Sequence, residues 1–273
     1  MERELEHTPL ASSADAPEVP AELASEHRYS AGPEARPRVD RTEMLRYLGY
    51  TGQTIDDELS GRMEAVIEEL ELTVSPRGVR RVFAVDATGR DAEGNPCIRL
   101  AGSEIELCGK DIYRHLKDAR FCAVLACTLG MRAERRLRTL ASQQPLEAAV
   151  YDAACSSFVE AAVEQMDRQV KAEARELGLR GNWRFSPGYG DCPLTCQPTI
   201  VSALNATRAI GLTVTDTCLL MPTKSVTAFI GLFDGDVHSS NSRPTCAICR
   251  MRSSCVFRAR GETCYGEPAG TLL

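Results

Sequence analysis

"VRRVFAVDATGRDAEGNPCIRLAGSEIELCG", residues 79–109, is the stretch on which the fold class turns. Two runs rich in β-formers, VRRVFAVD and CIRLAGSEIELCG, flank the turn-forming EGNP at 93–96, so both are read as strands. A short helix, DIYRHLKD, opens at Asp111, and the mostly apolar RFCAVLACTLG (120–130) is read as an interior strand. Strands and helices alternate irregularly, without a βαβ rhythm. That pattern predicts an α+β fold with a mixed, largely antiparallel sheet and packed helices.

Helices bracket this region on both sides. Asp40 is placed to cap a short helix carrying Met44, Leu45 and Leu48 and ended by Gly49. Thr54 is read as the start of a second, with Ile55, Leu59, Met63, Val66, Ile67 and Leu70 on one face. Downstream, helix resumes after Gly130 and breaks before Pro145, which suits the first turn of the next. Leu146, Val150, Ala154, Val159, Val163, Met166, Val170 and Leu177 then recur at helical spacing until Gly178 and Gly181. A helix over TIVSALNATRAIG (199–211) precedes LTVTDTCLLMPTKSVTAFIGLF (212–233), two β-rich runs read as a hairpin about a Pro222-centred turn.

Residues 1–38 are dominated by Ala, Glu, Pro and Ser, with Leu10, Val19 and Leu23 isolated among them, and are read as a disordered leader. A domain over 39–240 and a cysteine-rich tail over 241–273 complete the division. The 273 residues carry a net charge of -6 and no basic block, which argues against nucleic acid. No apolar run reaches signal-peptide or bilayer length, so no membrane partner is expected and a cytoplasmic location is the default. In a reducing compartment the twelve cysteines are expected as thiols, metal ligands or redox groups rather than a disulfide framework.

The segment with most chemical content is RFSPGYGDCPLTCQPT, residues 184–199. Pro187 fixes a backbone angle, and Gly188 and Gly190 lack the Cβ atoms that would keep a ligand from the main chain. Tyr189 sits between them, able to lay its ring on a flat or cationic group. Arg184 offers a planar fork for a carboxylate. A ligand with a carboxylate, a sulfonium cation and a purine suits this set. The plain alternative is a Pro/Gly turn between helices with Tyr189 as a hydrophobic plug. No G-x-G-x-x-G follows a strand and no P-loop is present, so the common nucleotide sites are unsupported.

RFSPGYGDCP resembles the S-adenosylmethionine-binding loop of the activation (reactivation) domain of vitamin B12-dependent methionine synthase. Arg184, Pro187, Gly188, Tyr189, Cys192 and Pro193 match in order. Thr213, Met221, Pro222, Ser225 and Val226 lie where that family's next element expects them, and EMLRYLGYTGQTID (43–56) resembles the opening of the stand-alone form. The resemblance spans roughly residues 39 to 235. It implies cofactor-binding roles for Arg184, Ser186, Pro187, Gly188, Tyr189 and Gly190, and for Glu160 on the long helix. It further implies a stand-alone activation subunit, the methyltransferase component that supports reductive methylation of cob(II)alamin. Gln197 replaces the family's acidic residue after Cys-Pro, and no Asp-x-His-x-x-Gly corrinoid motif occurs in the sequence. The cobalamin is therefore assigned to a partner cobalamin-dependent methyltransferase, methionine synthase, and the electron to a donor such as flavodoxin or ferredoxin.

In the tail, CAICRMRSSCVFRARGETC provides Cys246, Cys249, Cys255 and Cys264, a candidate cage for zinc or an iron–sulfur cluster, against the alternative of ordinary thiols. Cys97, Cys108, Cys122, Cys127, Cys155 and Cys218 lie on apolar runs and are read as small core residues. A metal-binding or redox-sensing protein built on the tail is the alternative function, separated from the first by whether S-adenosylmethionine binds.

Overall fold

The structure, a computed structural model, describes residues 17–30, 35–50 and 52–235, with Ser253, Arg258 and Gly261 beyond them. The elements run α1 (Ala21–Ala24), β1 (His27–Ser30), α2 (Arg41–Tyr47), α3 (Asp57–Thr73), β2 (Arg77–Arg90), β3 (Pro96–Leu100), β4 (Glu106–Cys108), α4 (Lys110–Leu116) and β5 (Phe121–Thr128). They continue as α5 (Gly130–Gln143), α6 (Pro145–Glu176), β6 (Leu179–Gly181), α7 (Gln197–Ala203), α8 (Ala206–Ile210), β7 (Thr213–Val214), β8 (Leu220–Met221) and β9 (Ser225–Asp234).

Seven strands form one sheet in the order β4-β3-β2-β5-β9-β6, with β1 on β2 as well, and each of these pairings is antiparallel. The fold is α+β, as the sequence predicts. Side chains on β5 alternate between two cores. Phe121, Ala123, Leu125 and Cys127 join the core beneath α2, α3, α5 and α6, while Cys122, Val124 and Ala126 join the one beneath α4, α7 and α8. Cover on both faces is why β5 reads as unbroken apolar sequence. Gly78, also in the sheet, faces Met166 so closely that a Cβ there would stand 2.4 Å from the methionine sulfur.

Several expectations need correction. Residues 17–30 are not a disordered leader: α1 buries Leu23, β1 buries Tyr29, and the Tyr29 hydroxyl donates to Gln165 Oε1 at 2.6 Å. Isolated apolar residues suffice when an existing sheet edge supplies the backbone partners. Residues 36–40 are pinned as well, with Arg38 paired to Glu71 and Asp40 N–H donating to Ser157 Oγ. Asp40 does cap α2, through Thr42 and Glu43 N–H, but α3 is capped by Asp56 rather than Thr54. The helix over 199–211 is two, α7 and α8, broken at Asn205, whose φ is 49°.

The hairpin predicted about Pro222 turns instead between β7 and β8, at residues 215–219. There Thr215 N–H donates to Leu219 O and Cys218 lies in the left-handed region. Cys218 is therefore half-exposed rather than core. Pro222 passes the chain from this ribbon to β9. Cys122, Cys127 and Cys155 are buried as expected, and burial pushes the last two up to about 12, keeping them protonated. Cys97 and Cys108 are joined in a disulfide, contrary to the reading of both as single core thiols. They stand opposite each other in the β3–β4 register, a pairing their separate apolar runs do not reveal. Among the described residues, no helix is long and apolar enough to cross a membrane.

Candidate functional site

The candidate site is built from the long helix α6 and the loop after β6. Glu160 and Glu164, one turn apart on α6, both reach Arg184: Nη1 lies 3.2 Å from Glu160 Oε2 and Nη2 lies 3.3 Å from Glu164 Oε2. The guanidinium is about one-fifth exposed while both carboxylates are more open, so the three charges sit at a surface rather than in the core. Asp167 and Lys171 continue the same helix face and pair at 2.7 Å. Burial raises the Asp167 pKa despite its lysine.

The chain enters the loop along the sheet. Phe185 and Phe229 exchange two backbone hydrogen bonds, of 2.9 and 2.7 Å, carrying the loop past β9. It then folds on itself: Gly188 N–H donates to Cys192 O, Tyr189 N–H to Ser186 O, and Cys192 N–H to Tyr189 O. Gly188 and Gly190 have φ of 91° and 52°, and a Cβ on Gly190 would fall 2.6 Å from Asp111 Oδ2. Glycine is required there by both conformation and space.

Asp191 then locks the loop to α4. Its carboxylate accepts from Lys110 N–H at 2.5 Å and Asp111 N–H at 3.0 Å, an N-cap supplied from eighty residues away. Pro187 is buried, Ser186 half-buried, and Gly188, Tyr189 and Gly190 are exposed. The Tyr189 ring, 60% exposed, meets Phe185 edge-on at 6.5 Å. Tyr47, from α2, completes the surroundings. Its phenol pKa is raised first by burial and then by the Glu160 charge, with Tyr189 also acting on it.

The structure thus brings together Glu160, Arg184 and the 186–190 loop named from sequence. It adds Glu164, Asp191 and Tyr47. Glu164 could have been found at i+4 from Glu160; Asp191 could not, because the helix it caps is remote in sequence. Gln197 is buried, its Oε1 accepting from the Thr227 hydroxyl at 2.8 Å, which makes it a tie between α7 and β9. Cys192 and Cys196 are both buried, and the Cys196 Sγ lies 2.9 Å from Pro193 O. The hydrogen bond with Cys196 and burial hold Cys192 as a thiol. Cys246, Cys249, Cys255 and Cys264 lie outside the described residues. A cavity of about 430 Å³ at the far end of α6 is lined by Lys171, Arg175, Leu179, Arg180 and Gly181; without a carboxylate or aromatic ring, it does not match the predicted ligand.

Behind the loop His115 is buried among Trp183 and Phe185, with ring centroids 4.7 and 5.0 Å away. Burial lowers its pKa from 6.5 to about 3. A depressed histidine pKa means that the unfolded chain takes up the proton first. Stability is therefore complete above pH 6.5 and falls as pH drops toward 3, by at most ~1.4 kcal/mol per pH unit. Urea melts at pH 7 and pH 5 are expected to show this loss, and His115→Phe to reduce it. An equal pH dependence in the folded variant would assign the loss elsewhere.

Residues 101–234 match the family model described as "Vitamin B12 dependent methionine synthase, activation domain". No curated protein matches the chain in sequence. Among solved structures, the "Crystal Structure of the MetH Reactivation Domain bound to AdoHcy" superimposes with a TM-score of 0.56 at 16% identity. The match covers 88% of this chain and 87% of that one. At this identity the likeness shows the fold.

Proposed function

We propose, from the match of residues 101–234 to the model of the B12-dependent methionine synthase activation domain, that the chain binds S-adenosylmethionine. Its role is then to support reductive methylation of cobalamin on a partner methyltransferase. The observation that carries the reading is the charge arrangement on α6 and the loop. The amino-acid end of S-adenosylmethionine carries one carboxylate, one ammonium and one sulfonium. Arg184 complements the first, Glu160 and Glu164 the two cations, and the exposed Tyr189 ring offers a face to the sulfonium or the purine. The solved relative is bound to AdoHcy, which has the same skeleton without the transferable methyl.

When bound, the ligand supplies a methyl group for a partner's cobalt, with one electron from an external donor such as flavodoxin or ferredoxin. The chain's own part is positioning. Arg184 fixes the carboxylate end, and the glycines let the Pro187–Gly190 backbone lie against the ligand. Asp191, by capping α4, keeps that backbone from shifting.

Isothermal titration with S-adenosylmethionine tests the binding. A second measurement tests the division of labour. The purified chain is expected to contain no corrinoid, and to accelerate methylation only when a cobalamin-carrying protein and a reductant are both added. Tightly bound corrinoid in the isolated chain would overturn the partner assignment.

A further inference from the structure

At the opposite end of the sheet from β6, three potential ligands converge. Cys97 on β3 and Cys108 on β4 stand directly across from each other, their Cα atoms 4.1 Å apart. Asp91, the first residue of the turn between β2 and β3, is beside them. The ligand atoms of all three lie within 4.8 Å of one another. Asp91 is already oriented: Oδ1 accepts from Asn95 N–H at 2.7 Å and Oδ2 from Asn95 Nδ2 at 2.8 Å. Gly89 pairs with Cys97 across β2–β3, and a Cβ there would stand 3.4 Å from that of Cys97, so the glycine leaves the ground beside this cysteine clear.

We propose that, in its reduced state, this hairpin is a zinc site with Cys97, Cys108 and Asp91 as ligands. Two thiolates select a borderline-soft ion such as zinc over magnesium or calcium. Tetrahedral coordination at about 2.3 Å per sulfur puts the two sulfurs ~3.8 Å apart, so the pair, bonded in the oxidised form, must separate once reduced. The carboxylate is the third ligand, held by Asn95 as outer-shell partners hold metal ligands, and water takes the fourth position. The disulfide in the structure is the oxidised form of the same pair. A dithiol reductant converts it by exchange: the protein disulfide takes up two electrons and two protons, and the reductant leaves as its own disulfide. Zinc then displaces the two thiol protons to solvent. The site thus alternates between a cross-linked, metal-free hairpin and a zinc-bound one. It is separate from Arg184 and its carboxylates, and does not rest on the reading of that site.

The test uses the full chain with Cys246, Cys249, Cys255 and Cys264 replaced by serine, so that the tail contributes no ligands. After reduction with a phosphine, zinc is titrated against a chromophoric chelator, and cobalt(II) is added in parallel. One zinc per chain and a thiolate-to-cobalt charge-transfer band are expected. Asp91→Asn should weaken zinc at least tenfold, and Cys108→Ser should abolish the band. Cys97 is wholly buried and its replacement risks the fold, so a mutation-free arm is included. Oxidation of the same protein with oxidised glutathione should release the zinc, and re-reduction restore it. Absence of zinc binding by the reduced protein would overturn the proposal. So would zinc that persists in Cys108→Ser or after the Cys97–Cys108 disulfide has re-formed.

Discussion

Arg184→Ala is expected to bind S-adenosylmethionine about 10- to 150-fold more weakly than the parent chain. The figure is the worth of a hydrogen bond to a charged group, about 1.5–3 kcal/mol, expressed as affinity. Two effects add in the same direction. The carboxylate of the ligand loses its fork, and it now approaches Glu160 and Glu164 without the cation that stands between them. Stability should change little, because partly exposed ion pairs contribute only ~0–1 kcal/mol each. The variant therefore separates binding from folding. Titration calorimetry reads the affinity, and the ligand-induced rise in melting temperature should shrink in step. Arg184→Lys keeps the charge without the planar fork and should fall between the two. Unchanged affinity in a folded Arg184→Ala protein would remove Arg184 from the site.

Much of this arrangement was legible in the sequence because its signals are local. Pro187, Gly188 and Gly190 announce a tight loop by their own backbone preferences, and the α6 periodicity announces a buried helix. β5 was readable because burial on both faces leaves eight consecutive buried residues. Three of the failures are non-local. β1 is stabilised by pairing with β2, so nothing in its own four residues marks it as a strand. Asp191 acts as a cap only because the fold brings α4 to it. Cys97 and Cys108 become partners through strand register, which a one-residue slip would have undone. Proline is a strong local signal, and it draws the predicted hairpin to Pro222. The actual turn rests on Cys218 in a conformation its residue type rarely adopts. Gln197 is a different case. It looked like a departure at the ligand site, whereas its buried bond to Thr227 places it in the support behind the loop.

Phe229→Ala should produce the largest loss of stability, about 3–5 kcal/mol, the usual cost of emptying a buried aromatic position. Phe229 is fully buried on β9, in the core beneath α4, α7 and α8. Its backbone also carries both hydrogen bonds that hold Phe185, one residue beyond Arg184. A cavity there removes packing from the face on which the loop rests, so stability and ligand affinity should fall together. Leu70→Ala provides the comparison. Leu70 is equally buried, but on α3 in the opposite core, and its loss of about 2–5 kcal/mol should leave affinity nearly unchanged in the folded fraction. Urea melts give the stabilities, and titration below the melting range gives the affinities. If Phe229→Ala weakens S-adenosylmethionine no more than Leu70→Ala does, the loop keeps its shape without the sheet beneath it. Its geometry would then come from its own turn bonds and the Asp191 cap alone.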